Sequence, residues 1–136
     1  MYAIGKISAA EALQMIEIVV QEAGKIGKSV AVAISGPEGE LIAFLRMDCA
    51  NAASSEIARN KAYTSARDRK TTREMGQYMR DKQSPPAFWG DLGITGFGGG
   101  VPVSQNGMVI GGIGVSGLSQ EEDERIAQAA ITGVYK

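Results

Sequence analysis

The stretch from Phe97 to Gly117, FGGGVPVSQNGMVIGGIGVSG, constrains this chain most: it spells a glycine-rich loop, a strand, a two-residue turn and a second strand. Asn106-Gly107 is the pair preferred by a tight hairpin turn of the primed type, because both central residues there need positive φ. The pairing register is therefore set locally. On the second strand Val109, Gly111, Ile113 and Val115 share one face, and Ile110, Gly112, Gly114 and Ser116 share the other. That second face is almost bare. Two glycines at i, i+2 in a strand give up packing and conformational entropy, so a helix, another backbone or a flat ligand is expected to come close. Gly98, Gly99 and Gly100 lead into Val101 and Pro102 and leave backbone N–H groups uncovered, a possible anion-binding concavity. Neither the P-loop spacing nor the dinucleotide fingerprint is present.

The 136 residues suit a single domain, 1–136, and the formal net charge of −1 gives no drive toward nucleic acid or an anionic membrane. Cys49 is the one cysteine, so no intrachain disulfide can form. There is no histidine. This removes the usual general acid/base near neutral pH and the commonest ligand for zinc and haem iron. The N-terminal residues do not read as a leader and no run of about 18 apolar residues occurs, so the expectation is a cytoplasmic chain with no membrane or nucleic-acid partner.

Taken in order, Ser8 to Glu11 is a capping box opening a helix that runs to about Gly24 or Gly27, with Ala9, Ala12, Leu13, Ile16, Val19, Val20 and Ala23 as its apolar stripe. Ser29 to Ser35 and Glu40 to Arg46 flank a Gly36-Pro37-Glu38-Gly39 turn and read as a hairpin. If its second strand continues, Arg46 and Asp48 share a face. They then form either a rim ion pair or an arginine at a pocket mouth, aimed by the aspartate at a ligand carboxylate. Ser54 or Ser55 can cap a helix to about Arg69 whose face of Ile57, Ala58, Ala62 and Ser65 is small enough to sit close on a sheet. Lys61 lies within that stripe. Either it snorkels to solvent or its ammonium meets an acidic or ligand group inside, a site Thr64 could share. Thr71 or Thr72 caps a further helix to about Lys82, which Ser84-Pro85-Pro86 breaks; Phe88 and Trp89 follow in a loop that reads as a lid or an oligomer contact. Ser119 to Glu122 is again a capping box, with Ile126, Ala127, Ala130, Ile131 and Val134 as the stripe of a closing helix. Asp123 can turn inward toward a hard cation, but nothing fixes a full ligand set and no metal site is assigned.

Four motifs in this order, RMD at Arg46 to Asp48, AxxKAxT from Ala58 to Thr64, GGGVP from Gly98 to Pro102, and IGGIGVSG followed by EEDE, resemble the GlcG/HbpS family of haem-degrading domains. The chain is similar over nearly its whole length to these and to the C-terminal domain of PduO-type corrinoid adenosyltransferases. The resemblance implies an α/β (α+β), profilin-like fold: an antiparallel sheet of about five strands flanked by helices, usually in a homo-oligomer. It also implies haem or corrinoid binding in some members. Without histidine, an axial ligand would have to come from Met, Tyr, Lys, Cys49 or a hydroxyl. Cys49 itself stands where glycine is expected.

The expectation is a small-ligand-binding oligomeric domain. Its pocket draws on Arg46, Asp48, Lys61 and Thr64, on the loop Gly98, Gly99, Gly100, Val101 and Pro102, and on Ser116 and Gly117; its ligand is an anionic metabolite or the propionate edge of haem or another tetrapyrrole. Two alternatives stand beside it. One is an enzyme acting on a small hydroxy or oxo acid, with Lys61 as catalytic base or Schiff-base former and Arg46 clamping the carboxylate. The other is a structural partner without ligand, using Phe88 and Trp89.

Overall fold

Three helices begin where serine or threonine stands three residues before a glutamate. The computed structural model describes residues 1–135. In it Ser8 and Glu11 cap α1 (Ala9–Lys25), and Thr71 and Glu74 cap α3 (Thr72–Lys82), each pair bonding reciprocally. The Ser119 side chain accepts the Glu122 N–H to start α4 (Gln120–Val134). α2 (Ala52–Asp68) starts earlier than the Ser54 or Ser55 cap expected for it. Asn51 is its N-cap, with no side-chain bond to the helix, and Ser54 is buried. The strands are β1 (Ala31–Ser35), β2 (Leu41–Arg46), β3 (Gly100–Gln105) and β4 (Met108–Ser116), and a 3₁₀ turn covers Pro86–Trp89. Asn106 and Gly107 join β3 to β4 with φ of 52° and 78°, the turn their sequence asks for.

The strands lie in the order β2-β1-β4-β3, every neighbouring pair antiparallel. Among the described residues the sheet has four strands, where about five were expected. The N-terminal segment contributes a single sheet-like bond, from the Ile7 N–H to the Ile110 carbonyl at 3.1 Å. That carbonyl is free because the β3–β4 register shifts between Val103 and Ser104, leaving Ile110 unopposed. The shift also changes faces: Ile110 packs with Ile113 and Val115, not with Gly112 as strict alternation predicts.

α1 and α4 cover one face of the sheet. Val32, Ile34, Val103, Ile113 and Val115 meet Met15, Val19 and Ile126 there in the main core. The buried line of α1 runs through Ala12, Met15, Ile16, Val19 and Ala23, while Leu13, expected in that line, is 62% exposed. α2 covers the other face, where Ala58 and Ala62 touch Ala31 and Ala33. A Cβ at Gly112 would come within 2.6 Å of the Ala62 carbonyl, and one at Gly114 within 2.5 Å of the Ala62 nitrogen. The bare face of β4 thus admits a helix backbone. Among the described residues no helix is long and apolar enough to cross a membrane.

Candidate functional site

Ser116 pairs with Ala31, Ala31 with Arg46, and Gly100 with Gly114, so Arg46, Ser116 and the Gly98–Gly100 loop gather at one end of the sheet. The close seat of α2 carries Lys61 beneath that loop. Its Nζ donates to the Val115 carbonyl at 2.8 Å and to Asp123 Oδ2 at 3.1 Å. Asp123, in the first turn of α4, accepts the Leu118 N–H on Oδ1 at 3.1 Å. Lys61 is 2% exposed and Asp123 1%, and they are the buried charged residues among those described. Desolvation lowers the Lys61 pKa against the opposing pull of Asp123. Desolvation likewise raises the Asp123 pKa, with Lys61 opposing. Burial therefore pushes both partners toward their neutral forms while each holds the other charged.

Gly99, at φ 127°, lies directly over this pair: a Cβ there would stand 2.7 Å from Lys61 Nζ. The glycine loop is shaped around the lysine. Two of its three backbone donors are used inside the protein, Gly98 N–H by Gln120 Oε1 at 2.7 Å and Gly100 N–H by Thr72 Oγ1 at 2.8 Å. Val101 points into the main core, Pro102 continues β3 opposite Gly112, and Gly117, at φ 142°, turns the chain away beside Ser29.

The other expected residues fall elsewhere around this end. β2 stops at Arg46, so the strand does not carry on to Asp48. The Arg46 guanidinium donates from Nε and Nη2 to the Ala50 carbonyl at 3.0 and 2.8 Å, closing the turn, and no Arg46–Asp48 ion pair forms among the described residues. Asp48 is exposed in that turn beside exposed Cys49, whose φ of 72° is one that glycine adopts more easily. Thr64 is turned away from Lys61. It donates to the Gly93 carbonyl at 3.1 Å and accepts the Thr95 N–H at 3.0 Å, tying the 93–95 segment to α2. Tyr63 reinforces the tie by donating to Asp91 at 2.7 Å. Trp89 packs edge-on against Tyr78 at 6.1 Å, and Phe88 is exposed.

Lys61, Asp123 and Ser116 line a cleft of about 200 Å³ whose remaining wall is Ile57, Phe97, Leu118 and Gln120. Ser116 is 5% exposed and lines the cleft beside the pair. Beyond Phe97 and Gln120, which line both, opens a second groove of about 360 Å³ between α3 and the 94–97 segment. Met79, Pro86 and Ile94 give it an apolar wall and Arg80 stands at its edge. Sequence reasoning missed this groove. Its one signal was Gly76 in the middle of α3, where a Cβ would strike the Gly96 carbonyl. No group of three or more Cys, Asp or Glu suited to a metal ion occurs among the described residues.

Residues 7–132 match the model of the family described as haem degrading protein HbpS-like. The chain is 36% identical over 134 residues to an uncharacterized 15.0 kDa protein in the dhaT-dhaS intergenic region of Citrobacter freundii, covering 94% of this chain and 92% of that one. It is 32% identical over 123 residues to the corrinoid adenosyltransferase PduO of Salmonella typhimurium, covering 89% of this chain but only 37% of that protein. Among solved structures, the PduOC:heme complex superimposes with a TM-score of 0.89 at 30% identity, covering 96% of each chain.

Proposed function

Since this chain belongs to the HbpS-like family, we propose that it is a small-ligand-binding domain whose ligand is a flat apolar molecule with an anionic edge, the chemical class of haem. The groove between α3 and the 94–97 segment carries this reading. Its wall of Met79, Pro86, Ile94 and Phe97 suits an apolar ring system, and Arg80 at the edge suits a carboxylate. Cys49 is exposed in a turn at the end of β2, and the Lys61 ammonium is bonded to Val115 and Asp123. Met79, half-buried and lining the groove itself, is the donor this reading gives to an iron in a chain without histidine. Bound haem would supply an iron centre; the chain's own part is to hold the ring system, pair its carboxylate and limit water on the α3 side.

Haem titration followed by absorbance tests this. The expected result is a saturable Soret shift at one equivalent per chain. Arg80→Glu should weaken binding about tenfold, the loss of roughly one charge-assisted contact, and Met79→Ala should move the band. A flat titration, or an unchanged band in Met79→Ala, would remove this assignment.

The same reading has the domain assemble with copies of itself, supported by β2, a sheet edge that carries exposed Leu41, Phe44 and Leu45. Light scattering that returned a single-chain mass would count against assembly.

A further inference from the structure

The groove reading leaves the most unusual chemistry of the chain without a task. Lys61 is a lysine buried to 2% exposure at the wall of a cleft, and its Nζ has two acceptors for three hydrogens. Above it the chain has a glycine where any side chain would stand 2.7 Å from Nζ. Beside it the cleft wall includes Ser116, whose side chain carries a hydroxyl. We propose that Lys61 is a carbonyl-capturing amine, condensing with a small aldehyde or ketone in the Ser116 cleft to form an imine, with Asp123 as the positioned acid and base.

The step balances within the groups present. The neutral Nζ adds its lone pair to the carbonyl carbon while protonated Asp123 gives its proton to the carbonyl oxygen, and the carboxylate so formed takes a proton from the nitrogen to leave a carbinolamine. Asp123 gives that proton to the departing hydroxyl as water leaves, and then takes the remaining proton from the iminium nitrogen. Amine plus carbonyl thus becomes imine plus water, Asp123 ends protonated as it began, and no oxidant or metal is needed. The Ser116 hydroxyl is placed to hold the carbonyl oxygen in the cleft. Ile57, Phe97 and Leu118 give the cleft an apolar wall, and burial lowers the Lys61 pKa and raises that of Asp123, both toward the forms the first step uses. At about 200 Å³ the cleft suits a compound of a few carbon atoms, well below the drug-sized range.

The inference does not rest on the haem reading, since its readout is a covalent mass at one lysine. The full chain is incubated with acetaldehyde or with pyruvate, reduced with borohydride and analysed by intact and peptide mass spectrometry. The expected product is one adduct heavier by the carbonyl compound less one oxygen atom, mapped to Lys61 ahead of the exposed lysines. Trapping by pyruvate alone assigns the class to oxo acids, and trapping by acetaldehyde alone to neutral carbonyls. Asp123→Asn should slow trapping roughly 100-fold. Lys61→Arg should abolish the adduct. The double variant Lys61→Met/Asp123→Leu, which removes the whole pair, should also lack it should the arginine variant fail to fold. No adduct on the native chain, or adducts spread evenly over the lysines, would overturn the proposal whether or not haem binds.

Discussion

The two faces of the sheet are built on opposite rules. Under α1 and α4 the interior is filled with Met15, Val19, Val32, Ile34, Ile113 and Ile126, all large and apolar. Under α2 it is closed by Ala31, Ala33, Ala58, Ala62 and two glycines, with Thr64, Ser65, Thr72, Lys61 and Asp123 buried around the rim of that helix. The first face gains stability from apolar area, at roughly 25 cal/mol per Å². The second brings backbones close and places polar groups where water cannot reach them. Large apolar side chains are concentrated on one face, and small and buried polar ones on the other.

The strongest way to break this contrast is to unbalance the buried pair. Asp123→Ala leaves an ammonium in the interior and should cost about 3–5 kcal/mol in urea unfolding. Lys61→Met/Asp123→Leu removes both charges and should recover most of that loss. If the double variant were as unstable as the single one, the pair would be a net stabiliser and not a functional feature tolerated by the fold.

A somewhat smaller effect separates the two packing rules. Gly114→Ala sets a Cβ against the α2 backbone at Ala62, where no side chain can rotate away, and should cost about 3 kcal/mol. Its neighbour on the opposite face, Ile113→Val, removes one methylene from the aliphatic core and should cost about 1 kcal/mol. Denaturant midpoints for the two variants compare them directly. Equal losses would mean that α2 can lift off β4 and that the close approach is not enforced.

The legible parts of the fold were those coded by neighbouring residues. The capping box at Ser8, a threonine cap at Thr71 or Thr72, the Asn106-Gly107 turn and the glycine face of β4 could each be read from a few adjacent positions, and the structure has each of them, with Thr71 as the cap. At Ser119, also read as a capping box, only one of the box's two backbone bonds forms, that from the Glu122 N–H to the serine. Two misses are local, the cap of α2 at Asn51 and the end of β2 at Arg46; the others depend on distant partners. Leu13 fits the helical period, yet α4 packs on Met15 and Val19 and leaves it in solvent. Ile110 changes face because of a register shift set between strands. At the site, the place of Lys61 in a small-residue stripe was visible, but its pairing with Asp123, 62 residues away, was not. The donors of Gly98 and Gly100 looked free because Gln120 and Thr72 reach them only through the tertiary fold. The Met79 groove arises where α3 meets the 94–97 segment, and neither stretch describes it alone.

The smallest effect sharpens the comparison by using an element outside both faces. α3 packs on neither layer of the sheet as α1, α2 and α4 do, yet it carries one wall of the groove, so loosening its start should disturb the groove and leave both faces intact. Thr71→Ala removes the oxygen that accepts the Glu74 N–H at 3.0 Å and should cost about 1 kcal/mol. The partner acid adds a pH signature. Bonds from the Thr71 N–H and hydroxyl hold the Glu74 pKa below its ordinary 4.5. Its contribution to stability is therefore fully present above pH 4.5 and is lost as pH falls through the depressed folded value. Glu74→Gln keeps an acceptor but not the titration, so its stability should fall less steeply than the native chain's over that acid range. Amide exchange should show the added opening confined to the first turn of α3. Exchange rising equally in β1 and β4 would mean that α3 is coupled to the sheet faces after all, and the division of labour between them would have to include it.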